Sequence, residues 1–251
     1  MRKKILSIIL SLTMIITIMP AYTHVASGAT KRKVTVSTQS GIKKAVKSKK
    51  LKTLTIMTGK NKTFTIPKGD YSKVTIVVNS SKGTVKISKK SKVKELRIVK
   101  KNSDIRVNIA GELPKISIEK KTSLKISGTT KKRINVNIGD KAGNTKVISS
   151  VKLLVKTMPS ATINFKKGAE ESLVIYNDEQ KEIKVINNTK GNVTVQDSKG
   201  EQIIVSKTKT FISLDFEKEQ EEKQDSDSGR HVSDKPKDSQ LGENETEWDY
   251  N

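Results

Sequence analysis

The sequence predicts an all-β chain wound as a β-solenoid, on three observations. An apolar–polar–apolar triplet recurs every eight to twelve residues over about 160 residues, and self-similarity at a near-constant period marks stacked repeats. Each triplet supplies two or so inward side chains, enough for a narrow coil but thin for one face of a sandwich. The chain has no cysteine and its one tryptophan, Trp248, lies near the C-terminus, so the buried Trp and Cys pair of immunoglobulin-like domains are missing. Tandem β-sandwich domains are the alternative.

Taken in order, residues 1–29 read as a secretory signal. Arg2, Lys3 and Lys4 form a basic start, Ile5 to Met19 is apolar, Pro20 breaks the run, and Ser27-Gly28-Ala29 offers small residues for cleavage. The apolar run is shorter than the roughly 20 residues of a membrane-spanning helix, which favours a mature protein starting near Thr30 over an uncleaved anchor. With no further hydrophobic span in the sequence, the mature chain is expected to be secreted, with no integral membrane segment.

Ser37 to Ser48 is the one stretch with helical character, because Ile42, Ala45 and Val46 share a helical face. It is expected either to cap the first coil of the solenoid or to be a short surface helix. The triplets follow: Leu54-Thr55-Ile56, Phe64-Thr65-Ile66, Val74-Thr75-Ile76, Val85-Lys86-Ile87, Leu96-Arg97-Ile98, Val107-Asn108-Ile109, Ile116-Ser117-Ile118, Leu124-Lys125-Ile126 and Val136-Asn137-Ile138. After a less regular patch at 147–155 come Ile163-Asn164-Phe165, Leu173-Val174-Ile175, Ile183-Lys184-Val185 and Val193-Thr194-Val195, and Ile203–Val205 and Phe211–Leu214 end the series. The ten glycines from Gly59 to Gly200 all fall between triplets, where turns need them. The solenoid domain is thus placed at residues 30–214.

Residues 215–251 differ in character. They hold thirteen carboxylates against five basic residues, a net −8, with few apolar side chains, the composition of a disordered segment. The whole chain carries +24, which leaves +32 for residues 1–214. With 4% aromatic residues, the core must be built from Val, Ile and Leu, which favours strands. Part of the lysine needs no functional account, since charge beside strands suppresses edge-to-edge association.

"SGIKKAVKSKKLKTLTIMT" followed by "KTFTIPKGDYSKVTIVVNS" resembles the Lys/Thr-rich β-solenoid modules of exported proteins from Gram-positive anaerobic bacteria. The resemblance covers roughly residues 31–215, is strongest from Ser40 to Ile98, and excludes the acidic tail. It implies a right-handed parallel β-helix displayed or released outside the cell, and it carries over no catalytic residue.

The sequence holds few groups for catalysis. Both histidines, His24 and His231, lie at the ends, which leaves no imidazole in the repeats for acid–base chemistry or metal binding. Enzymes with β-helical folds that cleave polysaccharides need clustered carboxylates. Here residues 1–214 hold 13 carboxylates against 45 Lys and Arg, and they are scattered, among them Asp70, Glu95, Asp104, Glu112, Glu119, Asp140 and the adjacent Glu170 and Glu171. Asp225-Ser-Asp227-Ser-Gly229 opens like a calcium loop, but the glycine comes one place early and Pro236 stands where the closing glutamate belongs. The motifs Thr53-x-Thr55 and Thr63-x-Thr65 hint at a flat threonine rank, although threonine's strand propensity accounts for them. No cofactor or metal site is expected.

Lysine doublets are the more specific signal. Lys89-Lys90 and Lys120-Lys121 stand 31 residues apart, and Lys100-Lys101 and Lys131-Lys132 repeat that interval, with Arg133 following. If three ten-residue units make a coil, each doublet stacks on its partner and the column forms a ladder for a polyanion.

The first functional expectation is an exported, non-catalytic binding, scaffold or adhesin-like protein whose basic surface holds teichoic acid, acidic polysaccharide or, without sequence preference, extracellular DNA at the cell wall. Base-stacking aromatics are too few for specific nucleic-acid recognition. A carbohydrate-active β-helix enzyme and a purely structural surface spacer are the alternatives. The chain's own acidic tail is expected as an intramolecular partner of the basic body.

Overall fold

Along the body of the repeats, from residue 53 to residue 196, consecutive triplets do not pair with each other; every second strand does. The computed structural model describes residues 32–177 and 182–213, so the stretch read as a signal, both histidines, the calcium-like run and the acidic tail lie outside the described residues. Within them the strands form two sheets, alternating between them except at the two ends, where the first two strands share one sheet and so do the sixteenth and seventeenth. Sheet A contains β1 (Lys33–Val36), β2 (Thr53–Thr58), β4 (Gly69–Ser80), β6 (Ser91–Ile98), β8 (Lys115–Ile118), β10 (Ile134–Ile138), β12 (Leu153–Thr157), β14 (Leu173–Tyr176), β16 (Val193–Gln196) and β17 (Gln202–Val205). Sheet B contains β3 (Lys62–Ile66), β5 (Lys82–Ile87), β7 (Ser103–Ile109), β9 (Thr122–Gly128), β11 (Thr145–Ser149), β13 (Ala161–Lys166), β15 (Ile183–Asn188) and β18 (Thr210–Ile212).

The result is a β-solenoid with two strands per coil. Leu96 pairs with Ile116 and Ile116 with Val136, so one coil is about 20 residues. The three-unit coil read from the lysine doublets is therefore corrected. A spacing of ten residues per strand is compatible with either count, and hydrogen-bond partners decide between them.

Alternation sets the core. Leu54, Ile76, Leu96, Ile116, Val136, Val155 and Val174 form one inward column of sheet A. Ile105, Leu124, Val147, Ile163 and Val185 form a column of sheet B. All of these are buried in one continuous cluster. The less regular patch resolves into β11 and β12, joined by only three residues.

Two edges join the sheets: the first carries turns from sheet A to sheet B, the second turns from B back to A. Buried hydroxyls line both corners and serve the backbone of adjacent coils. Ser103, Thr122 and Thr145 stack on consecutive coils at the first edge. Thr145 Oγ1 accepts from Thr122 N–H (3.2 Å) and donates to the Ala142 carbonyl (2.6 Å). Thr145→Val keeps the volume but leaves a buried N–H without its acceptor, so stability should fall by about 1–3 kcal/mol. A shift in the urea midpoint at unchanged slope would measure it.

Not every glycine serves a turn. Gly83 lies inside β5 and Gly128 ends β9, at φ +131°, where a Cβ would run into the Ile109 carbonyl of the coil beneath. This close approach of two backbones requires glycine.

Both ends are finished differently from the middle. Helix α1 (Gln39–Ala45) starts at Thr38, whose side chain accepts from Gly41 N–H, and buries Ile42 and Ala45. Gln39 then acts as a short piece of strand: its Nε2 donates to Thr65 O (2.8 Å) and its Oε1 accepts from Thr65 N–H (2.7 Å). The helix thereby covers β3, the outermost strand of sheet B, which is the capping arrangement. At the other end the chain reverses: β17 pairs antiparallel with β16, and β18 antiparallel with β15.

Candidate functional site

Outward positions of the two sheets carry different chemistry. On sheet B they include Lys82 and Lys86 from β5, Arg106 from β7, Lys125 from β9, Lys146 from β11, Lys166 from β13 and Lys184 from β15. Asp104 is the one carboxylate among the outward strand positions of that face. Arg106 and Lys125 are direct register partners on adjacent coils. The six strands from β5 to β15 span about 24 Å along the axis at ~4.8 Å per strand.

None of these seven basic side chains pairs with a described carboxylate. The ion pairs between described residues all involve sheet A or turns that enter it: Arg97–Glu119, Lys115–Glu95 (3.2 Å), Lys92–Glu112 (3.9 Å) and Lys152–Glu171. On sheet A, Glu95 and Lys115 are adjacent outward positions, and Glu95 also accepts from Ser117 Oγ (2.6 Å). Partial burial raises the Glu95 carboxyl, but Ser117, Lys115 and Arg97 outweigh it and hold it below the usual carboxylate range. On sheet A the strand residues Lys92, Arg97 and Lys115 each pair with a glutamate, whereas Lys33 and Lys156, also outward there, do not; on sheet B none of the seven is paired, and Arg106 stands against Lys125.

The lysine doublets divide between the edges. An interval of 31 residues is about one and a half coils, so Lys89-Lys90 lie at the second edge and Lys120-Lys121 at the first. Lys100-Lys101 and Lys131-Lys132 are separated in the same way. The doublets that do stack are Lys100-Lys101 and Lys120-Lys121, on neighbouring turns of the first edge, where Asn102 N–H donates to Lys121 O (2.8 Å). Both border the basic face beside Lys82 and Lys146. Lys89-Lys90 and Lys131-Lys132 are two coils apart at the second edge, with the Glu112-bearing turn between them. Arg133 Nη2 donates to the Glu171 carbonyl (2.7 Å).

The expected ladder is thus replaced by a broader basic surface, sheet B with the first edge. It was readable in principle: the middle residues of alternate triplets, among them Lys86, Lys125 and Lys184, all fall on this sheet.

The carboxylates hold structure. Glu170 accepts from Gly168 N–H (3.0 Å) and Lys190 N–H (3.2 Å), while the Lys152 ammonium engages Glu171 and lowers its pKa. The adjacent pair therefore diverges, from a turn rather than a strand. Among the described residues no three His, Asp or Glu side chains stand close enough to hold a metal. Thr53-x-Thr55 lies on sheet A and Thr63-x-Thr65 on sheet B, so the two threonine motifs share no plane. No described helix is long and apolar enough to cross a membrane. Compared with family models, curated proteins and solved structures, the chain matches none.

Proposed function

We propose that this is an exported, non-catalytic binding or scaffold protein that holds linear anionic polymers against the outer face of sheet B. The observation that carries the reading is a contrast between the sheets: seven basic side chains face outward on sheet B, with a single outward strand carboxylate and no ion pair among the described residues, whereas on sheet A Lys92, Arg97 and Lys115 are each held by a glutamate. Uncompensated like charge costs free energy unless an anion is brought to it, and a straight strip about 24 Å long suits an extended chain. Teichoic acid, acidic polysaccharide and extracellular DNA all offer evenly spaced anions, and binding of this kind tolerates differences in sequence and sugar.

The test is retention of the full chain on polyglucuronate and on a neutral glucan across a salt series. Seven contacts predict that log affinity for the anionic polymer falls with log salt at a slope of about −5 to −6, at 0.7–0.9 per contact. Equal retention on the neutral glucan, or a flat salt series, would overturn the reading.

A further inference from the structure

The reversal of the last two strands decides where the chain leaves the solenoid. All parallel strands of sheet B run from the first edge to the second. Because β18 is antiparallel to β15, it runs the other way: Thr210 pairs with Ile186, and Ile212 with Lys184 near the start of β15. The chain thus departs at the first edge, the edge of the stacked doublets.

At the far end of that edge lies an open groove of about 740 Å³. Lys60, Lys62 and Lys100 line it together with Met57, whose side chain is 47% exposed, and no carboxylate contributes. It combines three cations with an uncovered apolar side chain. The sequence after Ser213 ends with a complementary stretch, Glu243, Glu245, Glu247, Trp248, Asp249 and Tyr250.

We propose that this terminal acidic-aromatic segment docks in the groove, with Trp248 against Met57 and its neighbouring carboxylates among Lys60, Lys62 and Lys100. Thioether–aromatic contact and ammonium–carboxylate contact are the two chemistries offered. The distance is suitable. From β15 to β3 is six strand spacings, about 29 Å at ~4.8 Å each. An unconstrained chain of the 35 residues from 214 to 248 has an r.m.s. span of about 30–35 Å. Effective concentration peaks when span and chain length match and lies in the millimolar range, so even a millimolar intrinsic affinity is enough for substantial docking.

Trp248 is the only tryptophan of the chain, so its fluorescence reports on docking without a label. In the full chain its emission should lie at shorter wavelength than in a peptide of residues 240–251, with acrylamide quenching roughly halved as the indole loses solvent. Lys60→Gln/Lys62→Gln/Lys100→Gln, or Met57→Ser alone, should return both readouts to the peptide's values. Lys89→Gln/Lys90→Gln/Lys132→Gln, the same charge change at the second edge, should leave them unaltered. Peptide-like fluorescence in the unsubstituted chain would overturn the proposal, as would equal release by the second-edge variant. No polymer enters the measurement, so its failure is separable from failure of polymer binding.

Discussion

Phe165→Ala should lower the stability of the solenoid by about 3–5 kcal/mol, the range for truncating a buried aromatic ring. Phe165 is fully buried and is among the largest side chains of the core. Its register partners on the adjacent coils are Ser149 and Asn187, both committed to corner hydrogen bonds. Ser149 donates to the Val151 carbonyl, and the Asn187 amide donates to the Val205 carbonyl. Neither can lean into the space the ring vacates without abandoning a buried partner, so the cavity persists instead of collapsing. Each coil contacts only its neighbours, and the damage should therefore be local. Chemical denaturation followed by circular dichroism gives the total. Native-state hydrogen exchange should show lost protection centred on β11, β13 and β15, with β2 to β5 nearly unaffected. Uniform loss across all coils would contradict the nearest-neighbour picture.

Removing four charges from the basic face should weaken polyanion binding on the order of 10²–10³-fold at low salt and flatten the salt slope by about 3. The variant is Arg106→Gln/Lys125→Gln/Lys146→Gln/Lys184→Gln, one substitution on each of β7, β9, β11 and β15. These side chains face solvent and make no ion pair with a described carboxylate, so folding should be unaffected. The comparison is Lys89→Gln/Lys90→Gln/Lys131→Gln/Lys132→Gln, which changes net charge equally at the second edge. If net charge alone governed binding, both would lose affinity equally. The face predicts that the first loses far more, and equal losses would remove sheet B from its role.

The strands were legible from the triplets because alternation of Val, Ile and Leu with polar residues has one structural meaning. The helix was legible from Ile42, Ala45 and Val46, although its span, 39–45, is shorter than the stretch 37–48 read from pattern. The number of strands per coil was not. Strand spacing near ten residues is a local property, whereas the partner of Leu96 is chosen by the depth of the core and the length of two turns. That one unknown misplaced the lysine doublets. The direction of β17 and β18 was equally hidden, since the apolar residues of Ile203–Val205 and Phe211–Leu214 carry no mark of strand direction. The basic face required knowing that successive triplets change sheets. Once they do, Lys86, Lys125 and Lys184 sort to one side, and Arg97 and Ser117 to the other.

Two strands per coil also fix how the body answers to tension. The inter-strand hydrogen bonds lie along the long axis, so a pull between Arg32 and Ser213 loads the coils in series. Each coil that yields gives up about 4.8 Å of height and releases roughly 70 Å of chain, from 20 residues at 3.3–3.6 Å each. A bond ladder loaded this way opens one rung at a time. Any tether built on this body would therefore lengthen in steps, with the undisturbed coils still bearing their outward charges.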